Sequence, residues 1–340
     1  MRMGRYAGLW LGLLMPVIGS SAASADVNLY TTREPGLVAP LIDAFTAETG
    51  ITVNTVFVQT GLPERVRAEG ANSPADILMA VDIGNLIDLV DAGATQPIRS
   101  EALEAAIPAN MRDPDGNWFT LSMRARVLYA SVERVDLGTF TYEELADPHW
   151  QGRVCIRSGQ HPYNTALFAA YIAKHGEAAT EAWLTSIRNN LARRPGGGDR
   201  EVARDILGGL CDIGIGNSYY VGLMRSGAGG PEQETWGAAI DVILPTFADG
   251  GTHVNISGAA VAKYAPNRDD AVRFLEFLVT DQGQQLYADA NYEYPVKHGV
   301  AADPIVRSLG ELRPDAMALT EIAAYRKTAS ELVDKVGFDS

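Results

Sequence analysis

The sequence predicts an α/β protein of two lobes, and three observations lead to this fold class. The chain has 340 residues, which at about 150 residues per domain is enough for two domains. Hydrophobic residues make up 46% of the chain and charged residues 21%, so it can bury a large core and is not a disordered polymer. Segments of strand character alternate with segments of helical spacing, which predicts crossover connections and a mostly parallel sheet.

The first lobe is predicted from an alternation that begins directly after residue 25. Val27–Thr31 has strand composition, and the apolar residues between positions 35 and 49 recur at helical spacing. The ranges 51–58 and 75–80 again have strand character, and the ranges 62–69 and 83–92 are helical in pattern. These segments predict repeated strand and helix units in one lobe.

The second lobe is predicted from a similar set between positions 153 and 245. It comprises strands at Val154 and Cys211 and helices over 165–175, over 178–189 and after Tyr220. A C-terminal helix over about 314–335 is expected to pack on the same lobe.

Two further strand-like segments, 118–130 and 253–263, are expected to cross between the lobes and form a hinge. The predicted boundaries are 26–122 with 250–300 for the first lobe and 123–249 with 301–340 for the second.

The N-terminus has the three parts of a secretory signal. Two arginines within the first five residues precede an apolar run over positions 7–18, and Ala23-Ser24-Ala25 offers a small-residue cleavage site. The run is too short to cross about 30 Å of hydrocarbon comfortably, so we interpret it as a signal peptide rather than an anchor. We expect residues 1–25 to be removed before Asp26, leaving a mature chain outside the cytoplasm with no membrane insertion.

Charge and cysteine content exclude two classes of protein. The formal net charge is −14, which argues against a general nucleic-acid binder because phosphate contacts require a basic surface. Two cysteines are too few for a disulfide scaffold and do not form a Cys-x-x-Cys motif. Cys155 and Cys211 can pair in an oxidising compartment, but the sequence alone leaves both a disulfide and two buried thiols open.

Three tyrosines follow predicted strands of the second lobe. Tyr163 comes after the strand at Val154, and Tyr219 and Tyr220 come after the strand that starts at Cys211. Ligands of open α/β sheets bind outside the carboxyl ends of the strands. A lone loop tyrosine is usually a half-buried surface residue, but an adjacent pair with a third at an equivalent strand end is less easily explained in that way.

The chemistry of these tyrosines indicates ferric iron. Phenolate oxygen is a hard, anionic donor that suits a hard trivalent ion. Free tyrosine has a pKa of about 10, so a bound cation must displace its proton. Three phenolates from Tyr163, Tyr219 and Tyr220 would balance the three charges of Fe³⁺, whereas a divalent ion would be left with excess negative charge. His161 is a weaker candidate ligand.

Several segments together resemble one known family. They are Tyr30-Thr-Thr-Arg33-Glu-Pro35, Asn72-Ser-Pro-Ala-Asp76, Arg124-Ala-Arg126-Val, Cys155-Ile-Arg-Ser158, Gly197-Gly-Asp-Arg200, Gly216-Asn-Ser-Tyr219-Tyr220, Thr252-His-Val-Asn-Ile-Ser-Gly258 and Tyr292-Glu-Tyr-Pro-Val296. These segments resemble those of the periplasmic ferric-ion-binding proteins of bacterial ABC importers, also called bacterial transferrins. The resemblance runs from about Val27 to Val296 and beyond.

This resemblance implies a fold, a location and partners. The fold would be the type II, transferrin-like fold of two-lobed periplasmic solute-binding proteins, with two hinge-crossing strands. The protein would be a periplasmic monomer that binds ferric iron and delivers it to an inner-membrane ABC permease.

The resemblance also implies roles for individual residues. Tyr219 and Tyr220 match the tyrosine pair of the family, and Tyr163 matches the additional tyrosine of its tyrosine-rich subgroup. Arg124 matches an arginine near the metal, where it would hold carbonate or another small anion bidentately. Apart from the resemblance, Arg33 and Glu34 can close over the site from the first lobe, and a solvated loop at these positions is at least as good an interpretation. Many relatives place His or Tyr just after this arginine, whereas this chain continues with Glu34, so a first-lobe ligand stays an open question.

Two other functions were weighed. A solute-binding protein of the same architecture would hold a small organic solute or an iron chelate, with Tyr219 and Tyr220 stacking on it rather than ligating a metal. A secreted hydrolase is disfavoured because the sequence contains neither Gly-x-Ser-x-Gly nor His-Glu-x-x-His. We therefore expect a binding protein and not an enzyme.

Overall fold

A computed structural model describes residues 26–340 of the chain. The predicted signal peptide at residues 1–25 lies outside the described residues. Within the described range, no helix is long and apolar enough to cross a membrane.

The described residues form ten strands and fourteen α-helices. The strands are β1 (Val27–Thr31), β2 (Val53–Phe57), β3 (Ile77–Ala80), β4 (Thr95–Gln96), β5 (Phe119–Ser131), β6 (Val154–Cys155), β7 (Ile213–Asn217), β8 (Ile240–Ile243), β9 (Val254–Ala262) and β10 (Tyr294–Pro295). The helices are α1 (Ala39–Thr49), α2 (Leu62–Glu69), α3 (Ile83–Asp91), α4 (Glu101–Ala106), α5 (Pro162–His175), α6 (Glu177–Asn190), α7 (Asp199–Leu207), α8 (Ser218–Arg225), α9 (Pro231–Ala238), α10 (Arg268–Leu278), α11 (Asp281–Asn291), α12 (Pro304–Arg307), α13 (Leu319–Ala324) and α14 (Arg326–Lys335).

The strands pair in the order β2-β1-β3-β9-β5-β7-β6, with β10 and β8 also paired to β5 and β4 paired to β9. Strands β1, β2 and β3 are parallel to one another, as are β6 and β7. Every pair that includes β5 or β9 is antiparallel. The expectation of a mostly parallel sheet was therefore wrong in part, because the two long strands run against their neighbours.

The strand β5 changes partners along its length. Its residues 119–125 pair with β9, and its residues 126–130 pair with β7. The N–H of Arg126 donates to the carbonyl oxygen of His253 at 3.1 Å, just before β9 begins. The two strands predicted to cross, β5 and β9, thus pair with each other where two groups of strands meet. We call β1, β2, β3, β4, β9 and β10 the β1 group, and β6, β7 and β8 the β7 group. All 13 residues of β5 are buried, so it is also a core strand.

The C-terminal segment packs mainly on the β7 group. Helix α14 contacts α5 and α6, and α12 contacts α8. The single helix predicted over 314–335 is two helices, because Tyr325 leaves the helical conformation between α13 and α14. Helix α13 contacts both α5 and α3, so this segment also reaches the β1 group.

A disulfide joins Cys155 to Cys211, which answers the question that the sequence left open. Cys155 ends β6 and Cys211 lies two residues before β7, with their Cα atoms 5.8 Å apart. Because β6 and β7 are parallel neighbours, the bond fixes the separation of two strands whose following loops lead into α5 and toward α8.

Replacing both cysteines by serine is expected to destabilise the fold. The disulfide closes a loop with a sequence separation of 56 residues, for which the chain-entropy model gives a stabilisation of about 4 kcal/mol. Urea unfolding of the mature protein measures the change in the free energy of unfolding. Dithiothreitol should lower the stability of the wild type but not that of the Cys155→Ser/Cys211→Ser variant; a double variant as stable as the wild type would contradict the expectation.

Candidate metal centre

A cavity of about 340 Å³ lies between the β1 group and the β7 group. All five residues predicted for the site line it. The lining residues are Thr32, Arg33, Glu34, Leu37, Val81, Arg124, Tyr163, Arg200, Tyr219, Tyr220, Leu223, Ala290, Asn291 and Glu293. Segments more than 200 residues apart in the chain therefore form one cleft.

The three predicted tyrosines converge in this cleft. The hydroxyl oxygens of Tyr163 and Tyr219 are 3.3 Å apart, a separation that two oxygen ligands of one ion can have. The rings of Tyr219 and Tyr220 lie with their centroids 4.1 Å apart. Tyr163 comes from a different segment than the pair, so the fold brings separate parts of the chain to one place.

These tyrosines lie in the first turns of helices, not in loops as the sequence had suggested. Tyr163 is the second residue of α5, which begins at Pro162, and the tyrosine pair follows the first residue of α8, Ser218. Proline suits the first helical position because no partner for its missing N–H is needed there. The partial positive charge of a helix N-terminus favours nearby anions, and both helices begin on the side of the cleft that carries the tyrosines.

His161 caps α5 instead of pointing its Nδ1 atom at a ligand. Its Nδ1 accepts a hydrogen bond from the N–H of Tyr163 at 3.3 Å. Burial, followed by the charge of Arg157, lowers the pKa of His161 to about 4, so the imidazole is neutral at neutral pH and can accept. This contact orients the first turn that carries Tyr163.

Asp199 anchors the strand end that precedes Tyr219. Its Oδ2 accepts from Nη1 of Arg126 at 2.5 Å and from the N–H of Asn217 at 2.9 Å, and Arg157 reaches its Oδ1 at 3.4 Å. Both Asp199 and Arg126 are buried, where charged hydrogen bonds are stronger than at the surface. The carboxylate thus joins α7, β5 and the last residue of β7.

Two glycines permit the close packing of this region. A Cβ atom on Gly216 would lie 2.2 Å from the ring of Tyr129, and one on Gly222 would lie 2.4 Å from the ring of Tyr292. Tyr129 uses the space to donate its hydroxyl to the carbonyl oxygen of Asn217 at 2.9 Å. The absence of side chains at these two positions therefore sets the position of β7 and α8.

Burial sets the protonation of the tyrosine pair. It raises the pKa of Tyr219 well above its usual range, and the neighbouring phenols of Tyr163 and Tyr220 raise it further. Burial, followed by Tyr163, also raises the pKa of Tyr220. Both phenols are neutral at physiological pH without a cation, so a metal must provide the charge that ionises them.

Arg124 has unused hydrogen-bond donors. It is 1% exposed, and its Nη1 donates to Oγ of Ser257 at 3.1 Å. Its Nε and Nη2 have no partner within the described part of the chain. These two N–H groups lie on one edge of the guanidinium, the geometry that binds a carboxylate bidentately. The guanidinium carbon is 5.3 Å from the ring centroid of Tyr163, so the guanidinium group adjoins the tyrosines.

Arg33 lines the cleft but is paired with a carboxylate that the sequence analysis had not singled out. Its Nη2 lies 2.7 Å from Oε1 of Glu293, and its Nη1 donates to Asn291. Burial alone would raise the pKa of Glu293, but the charges of Arg33 and Arg124 outweigh it and hold that pKa below its usual range. Glu293 lies within one of the segments that resemble the family, but no local pattern indicates its role, because its partners are remote in sequence. Arg200 was also missed as a lining residue; its guanidinium carbon lies 5.6 Å from the Tyr220 ring centroid.

The donors present in the cleft favour a hard cation. Between residues 26 and 340, no group of three or more His, Cys, Asp or Glu side chains is placed to hold a metal ion. Phenol oxygens are the donors that converge in the cleft, next to a guanidinium edge suited to an anion. This combination is chemically suited to a trivalent ion with a small anion beside it.

Replacing Asp199 by asparagine is expected to lower the free energy of unfolding by about 3–5 kcal/mol, because loss of one partner leaves the buried charge of Arg126 uncompensated. Chemical denaturation of the mature protein measures this. The control is Asp269→Asn: the side chain of Asp269 is 93% exposed in its pair with Arg268, so no measurable change is expected. Equal stabilities of the two variants would refute the anchoring role of Asp199.

The chain is similar to known iron-binding proteins over nearly its whole length. Residues 72–309 match the family described as bacterial extracellular solute-binding proteins. Iron uptake protein A2 of Synechocystis sp. is 41% identical over 323 residues, which cover 94% of this chain and 92% of that protein. The structure of a Bordetella ferric binding protein is 61% identical with a TM-score of 0.89, covering 93% of this chain and 100% of the other. A Trichodesmium protein, solved in complex with iron and citrate, is 38% identical with a TM-score of 0.88, covering 92% and 99%.

Proposed function

Because this chain belongs to the family of bacterial extracellular solute-binding proteins, we propose that it captures Fe³⁺ through the phenolates of Tyr163, Tyr219 and Tyr220 and delivers it to an ABC permease. The relatives named for iron uptake and ferric iron binding support ferric iron as the solute. The fold is the two-lobed type II fold of such proteins, and the function is binding and transport rather than catalysis.

One observation carries the assignment of the ligands. The hydroxyl oxygens of Tyr163 and Tyr219 lie 3.3 Å apart in a cleft that Tyr220 also lines. Burial holds two of these phenols neutral without a cation. Fe³⁺ displaces the three protons, and the three resulting negative charges balance the charge of the ion.

The free edge of Arg124 supplies the place for a small anion, carbonate or a carboxylate, next to the ion. Such an anion completes the coordination that three phenolates leave unfilled. Arg33, held by Glu293 on the opposite side of the cleft, adds positive charge near the same place. The ligands thus come from one lobe, and the other lobe contributes electrostatics.

Closure of the two lobes retains the ion. The first lobe comprises residues 26–122 and 250–300, and the second comprises residues 123–249 and 301–340. The partner change of β5 beside His253 supports the hinge. Iron meets the tyrosines of the second lobe first, and the first lobe then closes over it. The mature protein acts as a monomer in the periplasm.

Phenylalanine at Tyr219 or Tyr220 is expected to weaken ferric binding strongly without unfolding the protein. Removing a residue that only hydrogen-bonds to a metal ligand typically weakens metal affinity by about 10- to 100-fold. Removing a ligand itself should therefore weaken iron affinity by more than about 100-fold. The measurement is the visible phenolate-to-iron absorption band during titration with ferric citrate, with circular dichroism to monitor the fold. The control is Tyr264→Phe, since Tyr264 is 50% exposed and outside the cleft.

The same titration separates the proposal from the alternative in which the tyrosine pair stacks on an organic solute or iron chelate. Stacked neutral phenols do not absorb in the visible. A Tyr219→Phe/Tyr220→Phe variant that keeps the full iron colour would contradict ligation by these residues.

Iron affinity is expected to fall as the pH falls. Since burial raises the pKa of Tyr219 and Tyr220, the iron-free state holds their protons, and protonation stabilises that state over the iron-bound one. Each released proton changes the affinity about tenfold per pH unit. Visible titrations at several pH values in a fixed excess of citrate measure the slope. Tyr220→Phe should show a slope shallower by one proton; identical slopes would exclude Tyr220 as a ligand.

A further inference from the structure

Three buried charged side chains line the cleft, two arginines and one glutamate. Arg33 is 5% exposed, Arg124 is 1% exposed and Glu293 is 2% exposed. Oε1 of Glu293 lies 2.7 Å from Nη2 of Arg33 and 4.0 Å from Nη1 of Arg124. Over residues 26–340, Glu293 is the one carboxylate within ion-pair distance of these two arginines.

The carboxylate of Glu293 is held from several parts of the fold. Ser122 of β5 donates to its Oε2, and Ser257 of β9 donates to the same oxygen at 3.2 Å. Ser257 also accepts from both arginines. Glu293 therefore connects the segment after β1 to both long strands, at the place where the lobes meet.

The charges in this set do not cancel. Two guanidinium groups face one carboxylate, so one positive charge is uncompensated in a buried place, where unpaired charge is unfavourable. The Nε and Nη2 atoms of Arg124 are the donors without a partner. The other acidic side chain in the cleft lining is Glu34, which is exposed. One external anion on Arg124 restores the balance.

We propose, on the basis of the proposed function, that Glu293 is the positioning residue of the anion site and limits that site to one small anion. Its carboxylate is a permanent negative charge that pairs with both guanidinium groups and neutralises one of their two positive charges. The cleft then takes a single exchangeable small carboxylate or carbonate, on the free edge of Arg124. Without the charge of Glu293, the site would bind external anions more tightly, and the fold would depend on them.

The test is Glu293→Gln, which keeps the shape of the side chain and removes its charge. Thermal unfolding of the iron-free mature protein is measured against citrate, with chloride at matched ionic strength. The variant is expected to melt lower than the wild type without citrate and to regain more stability as citrate is added. Its citrate affinity should be at least about tenfold tighter, since a unit charge a few ångströms away changes binding by more than that factor at an effective protein dielectric.

A matched control lies in the second lobe. Asp212 is also a carboxylate between two arginines, 2.5 Å from Arg134 and 2.5 Å from Arg153, but it does not line the cleft. Asp212→Asn should lower the melting temperature without a specific recovery in citrate. If Glu293→Gln and Asp212→Asn respond to citrate alike, or if Glu293→Gln responds as the wild type does, the proposal is overturned.

Two further outcomes are decisive. A Glu293→Gln chain that folds only when citrate is present supports the role of Glu293, and one that folds neither with nor without citrate refutes it. The Tyr219→Phe/Tyr220→Phe variant separates this inference from the iron proposal, because it should lose iron binding and keep the citrate response of the wild type. Loss of both responses would show that the tyrosines themselves hold the anion and would overturn the role assigned to Glu293.

Discussion

Two buried arginines on one strand support the whole cleft. Arg124 and Arg126 are two positions apart on β5, so both side chains leave the same face of the strand. Arg126 is committed to Asp199 of α7, and Arg124 to Ser257 of β9. The change of strand partners lies between them. Because buried guanidinium groups need hydrogen-bond partners, the two halves of the molecule are both held against the strand that joins them.

The division of labour between the halves follows from this arrangement. The β7 group carries the oxygen donors on the first turns of two helices, where the peptide dipoles favour negative charge. The β1 group contributes Arg33 and Glu293, which form a charged surface without a tyrosine of its own in the cleft lining. In the proposed function, a cation would therefore meet the phenol oxygens on one side of the cleft and the charged pair of Arg33 and Glu293 on the other.

Local sequence predicted most of the helices and strands and the three tyrosines that line the cleft, because both depend on neighbours in the chain. Tyr163, Tyr219 and Tyr220 could be identified because each follows a strand, although their place in helical first turns was not foreseen. The antiparallel course of β5 and β9 could not be predicted, since the direction of a strand depends on where the chain returns. The role of Glu293 could not be predicted for a related reason, because the sheet brings its partners at positions 33, 122 and 257 to it from distant parts of the chain.

The disulfide gives the two halves unequal stiffness. Cys155 and Cys211 both belong to the half that carries the tyrosines, and the bond spans neither crossing strand, so it stiffens the donor scaffold while leaving relative movement of the halves unrestrained. Thiols remain reduced in the cytoplasm and oxidise beyond it. In a chain that is exported as we propose, the disulfide therefore forms only outside the cytoplasm. A chain retained inside the cell would carry the same tyrosines on a less rigid scaffold.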